Sequence, residues 1–351
     1  MVCKVYIECK FLNQTNTTTM KKLLLLLFIA MNYMTSAYAG SNAKIWDNAD
    51  TIVVARDGTG NFRTIDEALD VCRAFMEYHK VIYVKKGTYK EKLIIPSFLR
   101  NVEICGEDRD NTIITYDDHA NIKIENLPNN KKLGTFRTYT LKIEGNDITV
   151  KNITIENNAA KLGQAVALHT EGDRIKFVNC RFLGNQDTIY TGVENTRLYF
   201  VDCYIEGTTD FIFGPSIAWF ENCLIKNKSN SYITAASTPA NQKYGYVFNN
   251  CKIIADDGVD KCFLGRPWRP YSYTLFMNCE LGKHIRPIGW DNWRNPENEK
   301  TARYMEYNNR GEGADISQRC PWAKQLTKKE IKMITPKEVF SINSSWEPDN
   351  N

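Results

Sequence analysis

The sequence predicts an all-β solenoid, a parallel β-helix with an N-terminal capping helix, and three observations carry that expectation. Segments of one design recur: DITVKNITIENN (147–158), IKFVNCRFLGN (175–185), LYFVDCYIEGT (198–208), AWFENCLIKNK (218–228), YVFNNCKIIAD (246–256) and TLFMNCELGKH (274–284). Aligning Asn152, Asn179, Asp202, Asn222, Asn250 and Asn278 gives steps of 27, 23, 20, 28 and 28 residues, the period of a solenoid. Each segment holds a short run rich in Ile, Val, Phe and Tyr bounded by turn residues, which leaves no room for a helix in every repeat. Leucine-rich and helical solenoids are thereby set aside.

From the N-terminus, Met20-Lys21-Lys22, the apolar stretch Leu23 to Met31 and Ala37-Tyr38-Ala39 read as a secretory signal peptide. The lysines form its charged region, the apolar run is too short to span a bilayer, and the small residues suit cleavage after Ala39. Residues 1–19 are polar and Thr/Asn-rich, so the expected start is Met20. The expected organisation is a leader over 1–39 and one β-helix domain over 40–351. Gly40 rather than Cys follows the cleavage point, which argues against a lipoprotein anchor; the expected destination is secreted or periplasmic.

Residues 1–39 carry Lys4, Lys10, Lys21 and Lys22 against Glu8, leaving 41 of the 45 basic and 40 of the 41 acidic groups on the mature chain. Near-neutral charge implies no nucleic-acid or membrane-surface partner. A composition 43% hydrophobic and 25% charged is that of a globular protein able to bury a large core.

The segment TIVVARDGTGNFRTIDEALDVC (51–72) begins with a strand, makes a Gly-rich turn and enters a short amphipathic helix. Its Thr64-Ile65-Asp66-Glu67 resembles a capping box, and that helix plugs the open end of the core. VIYVKKGTYKEKLII (81–95) and NVEICGEDRDNTIITY (101–116) add strands. LTKKEIKMITPKEVF (326–340) has helical periodicity and is expected to pack as a terminal strand or helix cap.

Of the 11 cysteines, Cys3 and Cys9 fall in the leader and nine remain, an odd number for a disulfide framework. Cys180, Cys203, Cys223, Cys251 and Cys279 recur with the repeat, so they read as a column of small buried side chains rather than metal ligands, which need closer pairs. The Asn/Asp column reads as structural, its side chains bonding the backbone at each bend.

Two acids stand out because of the period. Asp187 lies eight residues after Asn179 and Asp210 eight after Asp202, so both occupy one place in consecutive coils, stacked about 4.8 Å apart. Carboxylates that close cannot both ionise cheaply; one pKa is expected to rise and the other to fall, which supplies an acid and a nucleophile from one residue type. Arg266, in Leu264-Gly265-Arg266-Pro267-Trp268, is placed to hold one of them in a two-pronged pair. Gln164 and Gln186 are neutral donors suited to an oxyanion hole. Tyr190, Trp268, Trp290 and Trp293 are candidates for stacking on sugar rings, although an aromatic in such a coil is as readily core. The chain has no G-x-S-x-G elbow, no metal-spaced pair among its four histidines and no glycine-rich phosphate loop.

These residues resemble the pectin methylesterases (pectinesterases, carbohydrate esterase family 8) over roughly 50–340. The resemblance is carried by VVARDGTGNFRTIDEA (53–68), GTYKEKL (87–93), GQAVAL (163–168), GNQDTIY (184–190), DFIFG (210–214), LGRPW (264–268), GWDNW (289–293) and YMEYNNRGEGAD (304–315). It implies a right-handed, single-stranded parallel β-helix. It also implies hydrolysis of methyl esters of polygalacturonate, with Asp210 as nucleophile, Asp187 as general acid/base, Gln164 and Gln186 holding the oxyanion, and Arg266 orienting Asp210. Trp268 would line the sugar subsite, with Tyr190, Phe211, Trp290 and Trp293 as further substrate contacts. Neither metal nor organic cofactor is implied, and the expected partner is pectin, bound by a monomer. The pattern departs at Pro215-Ser216, where many relatives have Asn-Ala, and at His169, where plant enzymes often carry Arg; both bear on subsite preference. Rival readings are another β-helical pectin enzyme, which needs an aspartate cluster or calcium-binding acids, an acyl thioesterase branch, and a β-helical adhesin that uses the aromatics without the acids.

Overall fold

From Thr51 the backbone winds through three β-sheets of 11, seven and eight strands in a computed structural model that describes residues 49–125, 131–342 and 344–348. Successive strands of each sheet come from successive coils and pair in parallel, as in Ile175–Val178 against Leu198–Val201. The architecture is a right-handed parallel β-helix. The expected leader, residues 1–39, lies outside the described residues.

The repeat exists because identical side chains fall on top of one another. Phe177, Phe200, Phe220, Phe248 and Phe276 form a continuous ladder inside the coil, with ring centres 4.6, 4.6, 4.4 and 4.3 Å apart. Register pairs Arg181, Tyr204, Leu224, Lys252 and Glu280 in turn, which stacks the preceding cysteines 180, 203, 223, 251 and 279. All five are buried and free, each thiol donating to backbone oxygens such as Val201 O at 3.3 Å from Cys203 Sγ. Burial of these rings and thiols away from water is the main favourable term holding the coils together.

The Asn/Asp column holds its bends by a different means from the one expected. Asn152, Asn179, Asp202, Asn222, Asn250 and Asn278 all sit at positive φ, between 50° and 57°. Asn and Asp tolerate this left-handed conformation far better than β-branched or bulky residues. Their side chains bond mainly along the column: Asn179 Nδ2 donates to Asn152 Oδ1 at 2.9 Å, and Asn278 accepts from Asn308 at 2.9 Å. Backbone shape selects the residue type, and the ladder uses its amide.

The N-terminal helix runs over Ile65–Asp70, and both halves of the expected capping box form between Thr64 and Glu67. Its inner face buries Ile65, Ala68 and Leu69 over the first coil. Past Trp322 the tail takes both expected forms, a terminal strand and two short helices, Lys328–Ile331 and Pro336–Val339. Lys324–Gln325 pairs with Arg303–Tyr307 at the edge of the 11-stranded sheet. Beyond it, Val339, Phe340 and Trp346 cover the outer face of that sheet, against Tyr199, Trp219, Val247 and Leu275. Among the described residues no helix is long and apolar enough to cross a membrane.

Asn278→Val, which forces a β-branched residue into the left-handed region and deletes two ladder hydrogen bonds, is expected to cost about 2–4 kcal/mol. Asn278→Gly, which keeps the backbone shape, should cost clearly less. Urea unfolding of both variants checks the order.

Candidate active site

The acids at 187 and 210 stand where the chain leaves the eight-stranded sheet and enters the seven-stranded one. Both take the left-handed conformation, φ +68° and +50°, a corner that Asp accepts. Ile189 pairs with Ile212, and Asp187 N–H donates to Thr209 O at 3.1 Å, so the aspartates occupy equivalent places in adjacent coils. Their side chains open into one cleft of about 230 Å³ lined by Gln164, Gln186, Phe213, Arg266, Trp268 and Trp293, with Thr135 and Phe136 on its rim.

Gln164 and Gln186 meet through a local irregularity. Ala167 N–H and Leu168 N–H both donate to Thr188 O, while Ala165 N–H donates to Gln186 O. Two residues thus face one, and the extra residue brings Gln164 opposite Gln186. Both amides are half-buried at the cleft.

Arg266 grips Asp210 with two parallel hydrogen bonds, Nε to Oδ1 at 2.9 Å and Nη2 to Oδ2 at 2.6 Å. The guanidinium itself lies 3.9 Å from the Tyr232 ring centre and 3.7 Å from that of Trp293. Asp187 and Asp210 are only 8% and 6% exposed. Burial, then the neighbouring charge of Asp210, drives Asp187 well above the usual carboxylate range, against a weaker pull from Arg266. Burial raises Asp210 as well, with the Arg266 hydrogen bonds and charge opposing it. The expectation that one pKa rises while the other falls is therefore corrected: desolvation outweighs the guanidinium at both positions, and the asymmetry is one of degree. The rise is the larger at Asp187, which lacks the forked contact that opposes burial at Asp210.

The aromatic candidates divide. Trp268 is half-buried on the cleft wall and meets Phe213 edge-on at 5.9 Å. Tyr190 stacks on Phe213 at 4.7 Å and lies under Phe136 at 4.8 Å. Two others are corrected. Trp290 is 1% exposed, stacks on Tyr304 at 4.3 Å and donates its indole N–H to Glu306, so it is core. Phe211 is 0% exposed; its Cβ lies where a side chain on Gly207 would need to be, and its ring faces the interior. Trp293 reaches the cleft, but its ring also carries the Arg266 guanidinium.

Phe213, Tyr232, Thr135 and Phe136 escaped the sequence reading. Phe213 was findable: it follows Tyr190 by 23 residues, the same step that separates the two acids, and strand alternation turns it outward when Ile212 turns inward. Thr135 and Phe136 arrive on an excursion outside the repeat and left no periodic trace. His169 is buried in the row that runs Lys142, His169, Tyr190, Phe213 and Ala235, edge-on to Tyr190 at 4.8 Å.

A family model described as Pectinesterase matches residues 51–343. A "Probable pectinesterase/pectinesterase inhibitor" of Brassica napus is 38% identical over 314 residues, which cover 86% of this chain and 51% of that protein. "Pectinesterase 31" of Arabidopsis thaliana is 38% identical over 277 residues, 78% of this chain and 86% of that protein. The chain thus spans about half the length of several curated relatives and most of another. Among solved structures, a pectin methylesterase from carrot superposes with a TM-score of 0.76 at 32% identity, covering 84% of this chain and 93% of that one. A pectin methylesterase in complex with a hexasaccharide gives 0.73 at 31%, covering 86% and 98%.

Because folding raises the Asp187 pKa, the folded state binds more protons than the unfolded one between the two pKa values, and stability falls as pH rises through that window. Asp187→Asn is therefore expected to raise the melting temperature at neutral pH. The gain should vanish below about pH 4, where the unfolded aspartate is protonated as well. Calorimetry across pH checks both halves.

Proposed function

The chain belongs to the pectinesterase family, and on that premise we propose that it hydrolyses the methyl esters of polygalacturonate, releasing methanol and leaving free carboxylates on the polymer. The observation that carries the reading is the pair of buried aspartates in adjacent coils, one gripped at both oxygens by Arg266 and the other with no such cation among the described residues.

In the first half of the reaction a carboxylate oxygen of Asp210 attacks the ester carbonyl carbon. The two-pronged contact fixes the direction of its lone pairs and favours the charged form. The electron pair moves to the carbonyl oxygen, where the amide N–H groups of Gln164 and Gln186 receive the developing charge. Collapse breaks the bond to the methoxy group, which leaves as methanol by taking the proton of Asp187. The result is an anhydride between Asp210 and the galacturonate. Asp187, now a carboxylate, takes a proton from water as the oxygen attacks the galacturonyl carbon; the free acid departs and Asp210 is again a carboxylate. The pKa order supports this division of labour, because the acid must still hold a proton at a pH where the nucleophile has lost its own.

Trp268 and Phe213 give the cleft apolar walls suited to sugar faces, with Tyr190 stacked against Phe213. The apolar leader supports export to the periplasm or medium, where the polymer is found.

Methanol release from methyl-esterified pectin, measured beside chain length, tests the proposal: methanol with intact chains is expected, and shortened chains would favour a glycosidase or lyase. Asp210→Asn and Asp187→Asn should each cut turnover by about a thousandfold or more. Arg266→Lys should cost roughly 10- to 100-fold, since an ammonium cannot make the forked contact.

A further inference from the structure

We propose that Trp293 and Tyr232 form a clamp that positions Arg266 on Asp210, so that Trp293 acts on the reaction through the guanidinium as well as bordering the cleft. The inference rests on the proposed reaction and names residues that set the state of its nucleophile.

The geometry is that of a plate held between two others. One ring centre lies 3.7 Å and the other 3.9 Å from the guanidinium carbon, while the rim of the same group makes both hydrogen bonds to Asp210. A guanidinium can stack by its faces and donate by its edge at once. The two rings reach it from different directions. Tyr232 lies in the next coil beside Asp210, Asp210 N–H donating to Tyr232 O at 2.9 Å, and its ring is backed by Phe263 at 5.1 Å. Trp293 comes from a loop that departs from the coil and returns.

That loop is built to hold one conformation. Trp293 and Arg294 both sit at positive φ, +61° and +55°. A bulky residue there is an outlier that persists only where its surroundings impose it. Three contacts impose it. Asp291 Oδ1 accepts the Trp293 N–H at 2.7 Å, Asp291 N–H donates to Gly265 O at 3.1 Å, and Trp290 is bridged to Gly265, the residue before Arg266. Beneath lies the buried Glu306–Arg319 pair, whose Arg319 donates to Arg286 O and Pro287 O and whose Glu306 takes the Trp290 indole N–H. The strained backbone at 293 thus serves to aim one indole ring at the catalytic arginine.

Loosening the clamp lets the fork swing off Asp210 and removes the contact that opposes burial there. The charged or titratable groups around this carboxyl are Arg266, Asp187, Asp291 and the buried phenol of Tyr304, with Tyr232 itself beside the guanidinium. Among the described residues Arg266 is the group that favours the ionised form of Asp210, so losing its grip moves the Asp210 titration to higher pH.

The test is an NMR titration of the mature chain labelled with 13C at aspartate carboxyls, the Asp210 signal being the one lost in Asp210→Asn. In Trp293→Leu the Asp210 midpoint is expected above that of wild type, and in Trp293→Phe, which keeps a ring, close to it. Tyr232→Leu, on the opposite face of the guanidinium, is the second variant and should shift the same way; melting curves verify folding. In parallel methanol assays the two Leu variants should lose about tenfold in kcat with KM within about twofold. An unmoved Asp210 midpoint in folded Leu variants, with the loss confined to KM, would overturn the clamp and make Trp293 a sugar platform only. Should wild type release no methanol, the proposed function fails, while the titration still decides the clamp.

Discussion

In-register stacking of one coil on the next is the constraint from which the rest of the molecule follows. Parallel pairing moves every side chain up by one inter-strand spacing, about 4.8 Å, without changing its direction. Inside the coil this produces a ladder of phenylalanines and a column of thiols; at the corner into the seven-stranded sheet it produces two carboxyls facing one cleft. A slip of one residue would turn Asp187 or Asp210 inward and an apolar neighbour outward. The left-handed asparagines and aspartates resist such a slip, since each bend is fixed to a residue type that can adopt it, and at Asn152/Asn179, Asp202/Asn222 and Asn278/Asn308 a side-chain amide also bonds the residue of the next coil.

The same stacking explains why the acids are costly and useful together. Placed in adjacent coils and nearly buried, each raises the expense of ionising the other, and the chain answers with a single guanidinium committed to Asp210. Among the described residues Asp187 has no such contact, and its pKa is raised further than that of Asp210. Stability and reactivity pull apart at this point: the feature that destabilises the folded state near neutrality is the one on which the proposed proton transfer rests. The outlier backbone at Trp293 belongs to the same trade, with strain kept in a loop so that an arginine stays aimed.

Much of this was legible in the sequence, for a physical reason. Whatever repeats with the coil leaves a period, so the solenoid, the cysteine column, the capping box at Thr64 and the pairing of Asp187 with Asp210 could be read from spacing. What breaks the period could not. The doubled hydrogen bond at Thr188 that brings Gln164 opposite Gln186 is a one-residue irregularity, and Thr135 and Phe136 arrive on an excursion without counterpart in other coils. Composition misled at Trp290 and Phe211, because an aromatic side chain near a site motif says nothing about which side of the backbone it takes; Phe211 lies at the corner before the strand Ile212–Gly214 and is wholly buried, whereas Phe213, within that strand, lines the cleft. The electrostatics was half legible, since proximity of the acids followed from spacing whereas the depth of their burial did not.

The central claim is that one carboxyl of the pair holds a proton while its neighbour, in the fork of Arg266, holds a charge. Neutron diffraction from crystals of the deuterated mature chain, grown at a pH where it releases methanol, observes this directly. The account predicts deuterium on a carboxyl oxygen of Asp187 and none on Asp210; deuterium on Asp210, or on neither, would contradict it.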